Sequence, residues 1–342
     1  MRVLITGHEG YLGTVVRGMA ADAGYEVVGL DTAYFAGCTL GPEAPAVQAI
    51  QRDLRDVQVA DIEGFDAVIH LAALSNDPLG DLAPDITHEI NHRASVRLAQ
   101  LAKEAGVQRF LYSSTCSVYG ASGGDGLVDE SAPLQPLTAY AVSKVRVEED
   151  LHAMADDSFT PVYLRNATAF GFSPRLRADI VLNNLVGWAC LTGEVKVMSD
   201  GTPWRPLVHA RDIGSAFLAV LDADRATVHD TAFNVGSATE NRRVSEIAEV
   251  VAQTVPGSVV RTTGETGGDP RSYRVDFSRL SAAVPAYQPR WSLEAGAAEL
   301  YAAYRDYGLT NEAFTSSFTR LAWLRHLQDA GRLDEALRWR DP

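Results

Sequence analysis

Tyr140-Ala-Val-Ser-Lys144 sets a phenol and an amine four positions apart, which on a helix is one turn apart on a shared face. That pair suits proton removal from a secondary alcohol. A phenol ionises near 10 and is a poor base at neutral pH. A neighbouring ammonium and a positive nicotinamide ring both favour the phenolate. The phenolate then takes the hydroxyl proton while the carbon-bound hydride leaves to NAD. Alone, the Y-x-x-x-K spacing recurs by chance in many helices. Here it is joined by Thr115, in a Ser113-Ser114-Thr115 run just after a strand-like segment. A hydroxyl at that place can hydrogen-bond the reacting oxygen and fix its orientation.

Gly7, Gly10 and Gly13 form G-x-x-G-x-x-G, with Tyr11 and Leu12 between the last two. Glycines between a strand and a helix allow a tight turn and bring backbone close to a pyrophosphate, which sits on the helix N-terminus. A turn with close helix packing is the competing reading. The context favours the phosphate loop, because an acid, Asp31, comes after the next strand. Its carboxylate accepts from the adenosine ribose hydroxyls and repels a 2′-phosphate, which selects NAD over NADP. A solvated strand-end aspartate is the alternative.

The elements that must carry these residues alternate. Strand-like runs are Arg2 to Thr6, Glu26 to Leu30, Ala67 to Leu71, Phe110 to Ser113 and Val162 to Arg165; helices are expected over 11–23, 87–105 and 139–154. The pattern predicts an α/β fold, a Rossmann-type doubly wound parallel sheet covered on both faces. After about residue 170 the loops lengthen and gain Pro, Gly and Arg. We therefore expect a dinucleotide-binding domain over 1–170, with return segments near 205–240, and a smaller substrate-binding lobe with C-terminal helices over 171–342. The tail from Leu309 reads as amphipathic and helical, with Phe318, Leu321, Leu324 and Leu327 on it.

Composition narrows the partners. A formal net charge of −14 argues against nucleic acid or an anionic membrane surface, both of which need a basic face. An anionic small ligand stays open, since arginines and helix N-termini hold phosphate on acidic proteins. Three widely spaced cysteines, Cys38, Cys116 and Cys190, read as free thiols in a reduced compartment. No apolar run approaches the roughly 20 residues of a membrane span, and Met1 leads directly into a strand, which fits no signal peptide. A cytoplasmic location is expected. No residues have metal-ligand spacing.

The ordered motifs resemble the extended short-chain dehydrogenase/reductase family, in its nucleotide-sugar epimerase/dehydratase branch, from residue 1 to about 290. They are Gly7/Gly10/Gly13, Asp31, Asp53-Leu54, His70-Leu71-Ala72-Ala73, Asn91, Ser113-Ser114-Thr115, Val118-Tyr119-Gly120, Tyr140/Lys144, Arg205 with Asp212, and Asn234-Val235-Gly236. The resemblance implies NAD as cofactor, a nucleotide-sugar substrate and oxidation at carbon 4 of the sugar. It places Asp53 and Leu54 at the adenine ring and Leu71 to Ala73 beside the cofactor. Asn91 and Ser113 join them as cofactor-site residues, and Arg205 grips the sugar nucleotide's diphosphate through its planar fork. The helices at 87–105 and 139–154 correspond to the family's dimer interface, so a homodimer is expected.

Departures from the family pattern bear on the fate of the oxidised sugar. Sugar 4,6-dehydratases of this family carry Asp-Glu after the threonine; this chain has Cys116 and Ser117. Neither is a carboxylic acid, so elimination lacks its usual acid and base. The family's decarboxylases keep a glutamate at the Ser117 position. Both residues are assigned to the substrate site, with a packing role for Cys116 weighed beside it. Thr168 stands where the family has an asparagine, and Asn166 is the candidate to supply the polar role. The family's R-P-G-D segment reads Thr266-Gly-Gly-Asp269, leaving Arg271 or Arg274 as candidate phosphate ligands. Simple 4-epimerisation asks least of these residues. A 4-ketoreductase, a dehydratase or decarboxylase, and a non-catalytic NAD sensor are the competing readings. Arg175, Arg177, Asn183 and Asn184 divide evenly between solvated loop and ligand contact. Trp204 and His209 read as structural.

Overall fold

The computed structural model describes residues 1–75, 83–120, 126–264 and 272–340. Seven parallel strands form its main sheet: β1 (Arg2–Thr6), β2 (Glu26–Asp31), β3 (Gln48–Gln51), β4 (Ala67–His70), β5 (Arg109–Thr115), β6 (Thr160–Asn166) and β7 (Thr231–Val235), in the order β7-β6-β5-β4-β1-β2-β3. The order reverses between β1 and β4, which opens a crevice at the carboxyl ends of the strands. Alternation along each strand feeds two cores. Val3, Ile5, Ala67 and Ile69 pack on one face, while Leu4, Val68 and Phe110 pack on the other.

Eight longer helices cover this sheet and build the rest: α1 (Tyr11–Asp22), α2 (Ser95–Glu104), α3 (Ala139–Met154), α4 (Val181–Thr192), α5 (Ala210–Asp222), α6 (Val244–Thr254), α7 (Leu293–Asp306) and α8 (Arg320–Asp329). Helices α1 and α5 share the first face, where Gly214 lets them close: a Cβ there would stand 2.6 Å from the Met19 sulfur. Leu98, Ala99, Val147 and Leu151 of α2 and α3 cover the second face. A separate core joins α4, α6 and α7 through Leu185, Val186, Ile247, Val251, Ala297 and Leu300.

Two expectations change. The helix over 87–105 is interrupted: a short helix, Pro84–His88, runs into a π-helical turn, Glu89–Ala94, before α2 begins. The tail is not one amphipathic helix. Asn311–Thr315 is a single short turn, α8 comes next, and the last described residues are irregular. Phe318 joins the separate core of α4, α6 and α7, whereas Leu324, Leu327, Leu333 and Leu337 pack with Tyr34, Leu74 and Ile90. The chain therefore finishes on the half where it began.

Candidate active site

A cleft of about 1330 Å³ lies over the carboxyl ends of the central strands. A pocket for one small ligand runs roughly 300–1,000 Å³, so this volume suits two ligands end to end. Gly7, Gly10, Tyr11, Leu12, Gly13, Asp31, Asp53, Leu54, Leu71, Ala72 and Ala73 line one end. Ser113, Thr115, Tyr140 and Lys144 stand in the middle; Ser117, Asn166, Thr168 and Arg205 lie on the cleft wall as well.

The glycine loop is a fitted cradle. Gly7 has φ +72°, and a Cβ on it would stand 2.7 Å from the Ala72 nitrogen; one on Gly13 would stand 2.0 Å from the Gly7 carbonyl oxygen. Helix α1 begins with an extended Gly10, no side-chain cap and no acid in its first turn. Its first N–H groups are thus left for an anion. Asp31 accepts from the N–H groups of Glu9 at 3.0 Å and Ala33 at 2.8 Å. Burial pushes its carboxyl above the usual carboxylate range, against those two hydrogen bonds. The residues present fit a dinucleotide.

Asp53 reaches the cleft, but its carboxylate is gripped by Arg55, Nε to Oδ1 at 2.9 Å and a terminal nitrogen to Oδ2 at 2.6 Å. Asn91, expected at the cofactor site, is a clamp on the chain beside it. It is buried in the π-helical turn and closes a two-way bond with Leu74, accepting from its N–H at 2.7 Å and donating to its carbonyl at 3.0 Å. It holds the wall and does not face the cleft. His70 is pinned beneath that wall, 2.6 Å from the Thr6 hydroxyl and 2.8 Å from that of Ser95. Burial pushes its imidazole down to about 3, so it is neutral.

Thr138 caps α3, accepting from the Ala141 N–H at 3.2 Å, and so places Tyr140 in the first turn at the cleft. Lys144, one turn on, is 3% exposed and donates to the Ser113 carbonyl at 2.6 Å. Burial pushes its ammonium down to about 7, with Glu148 pulling the other way. Thr115 ends β5, and its hydroxyl accepts from the Ser117 N–H at 3.1 Å. That leaves the hydroxyl proton to be donated into the cleft. Below the pair, Glu148 chelates Arg165, which donates to the Tyr119 hydroxyl at 3.1 Å; Tyr119 in turn donates to Asn234 at 2.7 Å. The Val118-Tyr119-Gly120 and Asn234-Val235-Gly236 motifs meet in this buried network.

Among the substrate candidates, Cys116 takes the packing position weighed beside its substrate role. Strand alternation ends at Thr115, a 3₁₀ turn begins, and the Cys116 thiol turns into the core, 3.1 Å from the Arg165 carbonyl. Burial pushes the thiol well above its usual range. Asn166 donates to Ser113 Oγ at 3.0 Å. Arg205 donates to the Trp204 carbonyl at 2.9 Å from the cleft wall. Arg271 and Thr266–Asp269 lie outside the described residues.

The arginines left open are not on a solvated loop. Arg175 pairs with Glu9 at 2.7 Å and Glu43 at 2.9 Å, while Arg177 pairs with Asp179 at 2.9 Å on the cleft wall. Asn183 clamps Gly171 in both directions, and Asn184 lines the cleft. His209 takes the Arg211 N–H on Nδ1, so Nε2 carries the proton and donates to Glu299 at 2.8 Å. Asp212 is spent on the N–H groups of Arg290 and Trp291. Trp204 lies under Arg243 and Arg274. Tyr34, Phe35 and Arg320 also line the cleft. Their sequence contexts carry no motif, and only the fold brings them there. Among the described residues no His/Cys/Asp/Glu group could hold a metal, and no helix is long and apolar enough to cross a membrane.

A doubly wound sheet, a glycine cradle with an aspartate after the next strand, and a tyrosine–lysine pair beside the end of β5 share one cleft. The chain belongs to the NAD dependent epimerase/dehydratase family, whose sequence profile matches residues 3–236. The uncharacterized UDP-glucose epimerase YtcB of Bacillus subtilis is 28% identical over 315 residues, covering 86% of this chain and 95% of that one. MoeE5, solved with UDP-glucuronic acid and NAD, superposes with a TM-score of 0.77 at 26% identity, covering 90% of this chain and 99% of its own. The NDP-hexosamine 5,6-dehydratase TunA shares the fold, with a TM-score of 0.80 at 21% identity over 89% of this chain and 98% of its own. NAD is the cofactor of this family.

Proposed function

We propose that the protein is an NAD-dependent nucleotide-sugar 4-epimerase that works through a transient 4-keto sugar. Bound NAD supplies a hydride acceptor and, once reduced, a hydride donor. Tyr140 takes the proton from the sugar 4-hydroxyl and later returns it. Thr115 donates to the same oxygen and orients it. Lys144, when it carries its proton, favours the Tyr140 phenolate that accepts the sugar proton. Hydride leaves one face of carbon 4 and returns to the other after the ketosugar turns. Arg205, Ser117, Asn166 and Thr168 are assigned to the nucleotide sugar, with Arg205 on its diphosphate; the remaining cleft residues of the glycine-loop end are assigned to NAD.

The observation that carries this reading is the orientation of Cys116. Of the two residues after Thr115, one is a buried thiol aimed away from the cleft and the other is a serine. Elimination and its assisted proton transfers have no acid there. The test is incubation of purified protein, without added cofactor, with UDP-, dTDP-, GDP- and CDP-sugars, with the products read by NMR. A new epimer of unchanged mass is expected. Loss of water would identify a dehydratase and carbon dioxide release a decarboxylase; in a parallel incubation with NADH and a 4-keto sugar nucleotide supplied, stoichiometric NADH consumption would identify a 4-ketoreductase.

We also infer a cytoplasmic homodimer. The three cysteines are unpaired. The outer face of the expected interface helices carries His88, His92, Arg146 and Asp150, linked as His92–Asp150 at 2.6 Å and Arg146–His88 at 3.3 Å. Dimerisation through it would therefore be polar, and light scattering across ionic strength tests it.

A further inference from the structure

A cation without a counter-ion among the described residues borders the dinucleotide end of the cleft. Arg320 opens α8, far in sequence from the glycine loop, and is 5% exposed. One terminal nitrogen donates to the Arg175 carbonyl at 2.8 Å, and the guanidinium sits 4.2 Å over the Phe35 ring. The other terminal nitrogen is buried with no hydrogen-bond partner. Its neighbours are differently placed. Glu9 and Glu43 neutralise Arg175, Glu9 also pairs with Arg17, and Asp179 pairs with Arg177. Arg320 has no carboxylate within ion-pair distance among the described residues. Burial, with the nearby Arg177 charge, pushes its guanidinium down to about 10, with the Asp179 carboxylate, beyond ion-pair distance, pulling the other way. A buried charge and a buried N–H both left unpaired are costly.

An anion in the cleft would satisfy both. Arg320 lines the same cleft as Gly10 and Tyr11, at the start of α1. Backbone N–H groups at that helix end offer about half a positive charge. A guanidinium adds a full charge and a directed donor, the combination suited to a phosphate oxygen. We propose that Arg320 is a further ligand of the dinucleotide, its unpaired N–H meeting a diphosphate oxygen seated on the α1 N-terminus. The family profile ends at residue 236, so this ligand lies outside the matched segment. The inference rests on the cofactor and is independent of the reaction performed on the sugar.

Titration calorimetry on protein stripped of dinucleotide tests it, with ADP-ribose, which carries the diphosphate, and adenosine, which does not. Arg320→Met is expected to weaken ADP-ribose by about 10- to 100-fold, the loss of one charge-assisted hydrogen bond, and to leave adenosine within about threefold. Arg320→Lys keeps the charge without the fork and should fall between. If Arg320→Met does not fold, the lysine variant decides alone, by weakening ADP-ribose several-fold while adenosine holds. Unchanged ADP-ribose affinity overturns the proposal. So does equal weakening of both ligands, which assigns Arg320 to packing on Phe35. Weakening of UDP in place of ADP-ribose overturns it too, by moving the contact to the substrate's diphosphate.

Discussion

Lys144 Nζ lies 2.6 Å from the Ser113 carbonyl oxygen and 5.7 Å from the centre of the Tyr140 ring. The end of β5 therefore fixes the amine, and the amine faces the phenol from below. Helix α3 and strand β5 are joined a second time, one turn on, where Glu148 accepts from the Ser114 hydroxyl and chelates Arg165. The start of α3 is held at two heights.

Tyr140→Phe removes the proton acceptor and little else. Turnover is expected to fall by about 10²–10⁴-fold, the usual contribution of a placed acid–base. NAD content of the purified variant should match wild type, read by absorbance after denaturation. Wild-type turnover in this variant would remove Tyr140 from the chemistry.

Lys144 makes folding pH-dependent. A lysine ionises near 10.4 when unfolded and at about 7 here. Below pH 7 both states hold the proton, and the cost of burying the charge is fully present. Between about 7 and 10.4 the unfolded chain binds more protons, so stability rises with pH. Lys144→Met removes that cost and loses the Ser113 hydrogen bond. Its Tm without dinucleotide should exceed wild type at pH 6.5 by a few degrees, for a net gain of ~1–3 kcal/mol, and the gap should close toward pH 9. A gap that ignores pH would mean that Lys144 keeps its proton in the folded protein over this whole range.

Much of this site is readable because its signals are local. Tyr140 and Lys144 occupy one helix whose observed limits, Ala139–Met154, match the expected 139–154. Asp31 closes a strand that the apolar run already outlines. Side-chain direction beyond a strand end is another matter. Period-two alternation would continue through Cys116, but the 3₁₀ turn after Thr115 resets it and turns the thiol inward. Asn91 sits in a π-helical turn, which changes the facing expected from 3.6-residue periodicity. Arg320 and Phe35 are 285 positions apart in the sequence and meet only because the tail returns across the first half. No spacing rule reaches that far.

Arg165→Met probes the buried network. Arg165 is 6% exposed and its main partner, Glu148, 5%. Removing one member leaves a carboxylate buried and uncompensated, which costs roughly 3–5 kcal/mol. Chemical denaturation should show a loss of that order. A loss below about 1 kcal/mol would mean that Glu148 finds another partner, with Lys144 nearest.

Asp31→Ala acts twice. It removes the acceptor for the ribose hydroxyls, and it frees the N–H groups of Glu9 and Ala33 that hold the glycine loop in place. NAD affinity should fall by about tenfold, and the preference over NADP should narrow because the repulsion of a 2′-phosphate is gone. Titration of both dinucleotides reads the ratio; an unaltered ratio removes Asp31 from cofactor selection.

The chain end ties down the loop after β2. Trp339 Nε1 donates to the Thr32 carbonyl at 2.6 Å, the Tyr34 hydroxyl donates to the Leu337 carbonyl, Arg55 reaches the Ala336 carbonyl at 2.8 Å, and Arg338 pairs with Asp56 at 2.6 Å. Thr32, Tyr34 and Asp53 line the cleft beside Asp31, so these bonds brace that wall. A braced wall opens less often, and binding differences of this kind are expressed chiefly in the dissociation rate. Trp339→Phe deletes one donor and keeps the ring; losing a bond worth about 1 kcal/mol should speed NAD release roughly fivefold. Truncation after Gly331 removes all four ties and should speed release further. Stopped-flow displacement of NAD measures both. Release at the wild-type rate from the truncated protein would mean that the dinucleotide leaves without moving this wall, and the tail would then serve the Tyr34–Leu324 cluster alone.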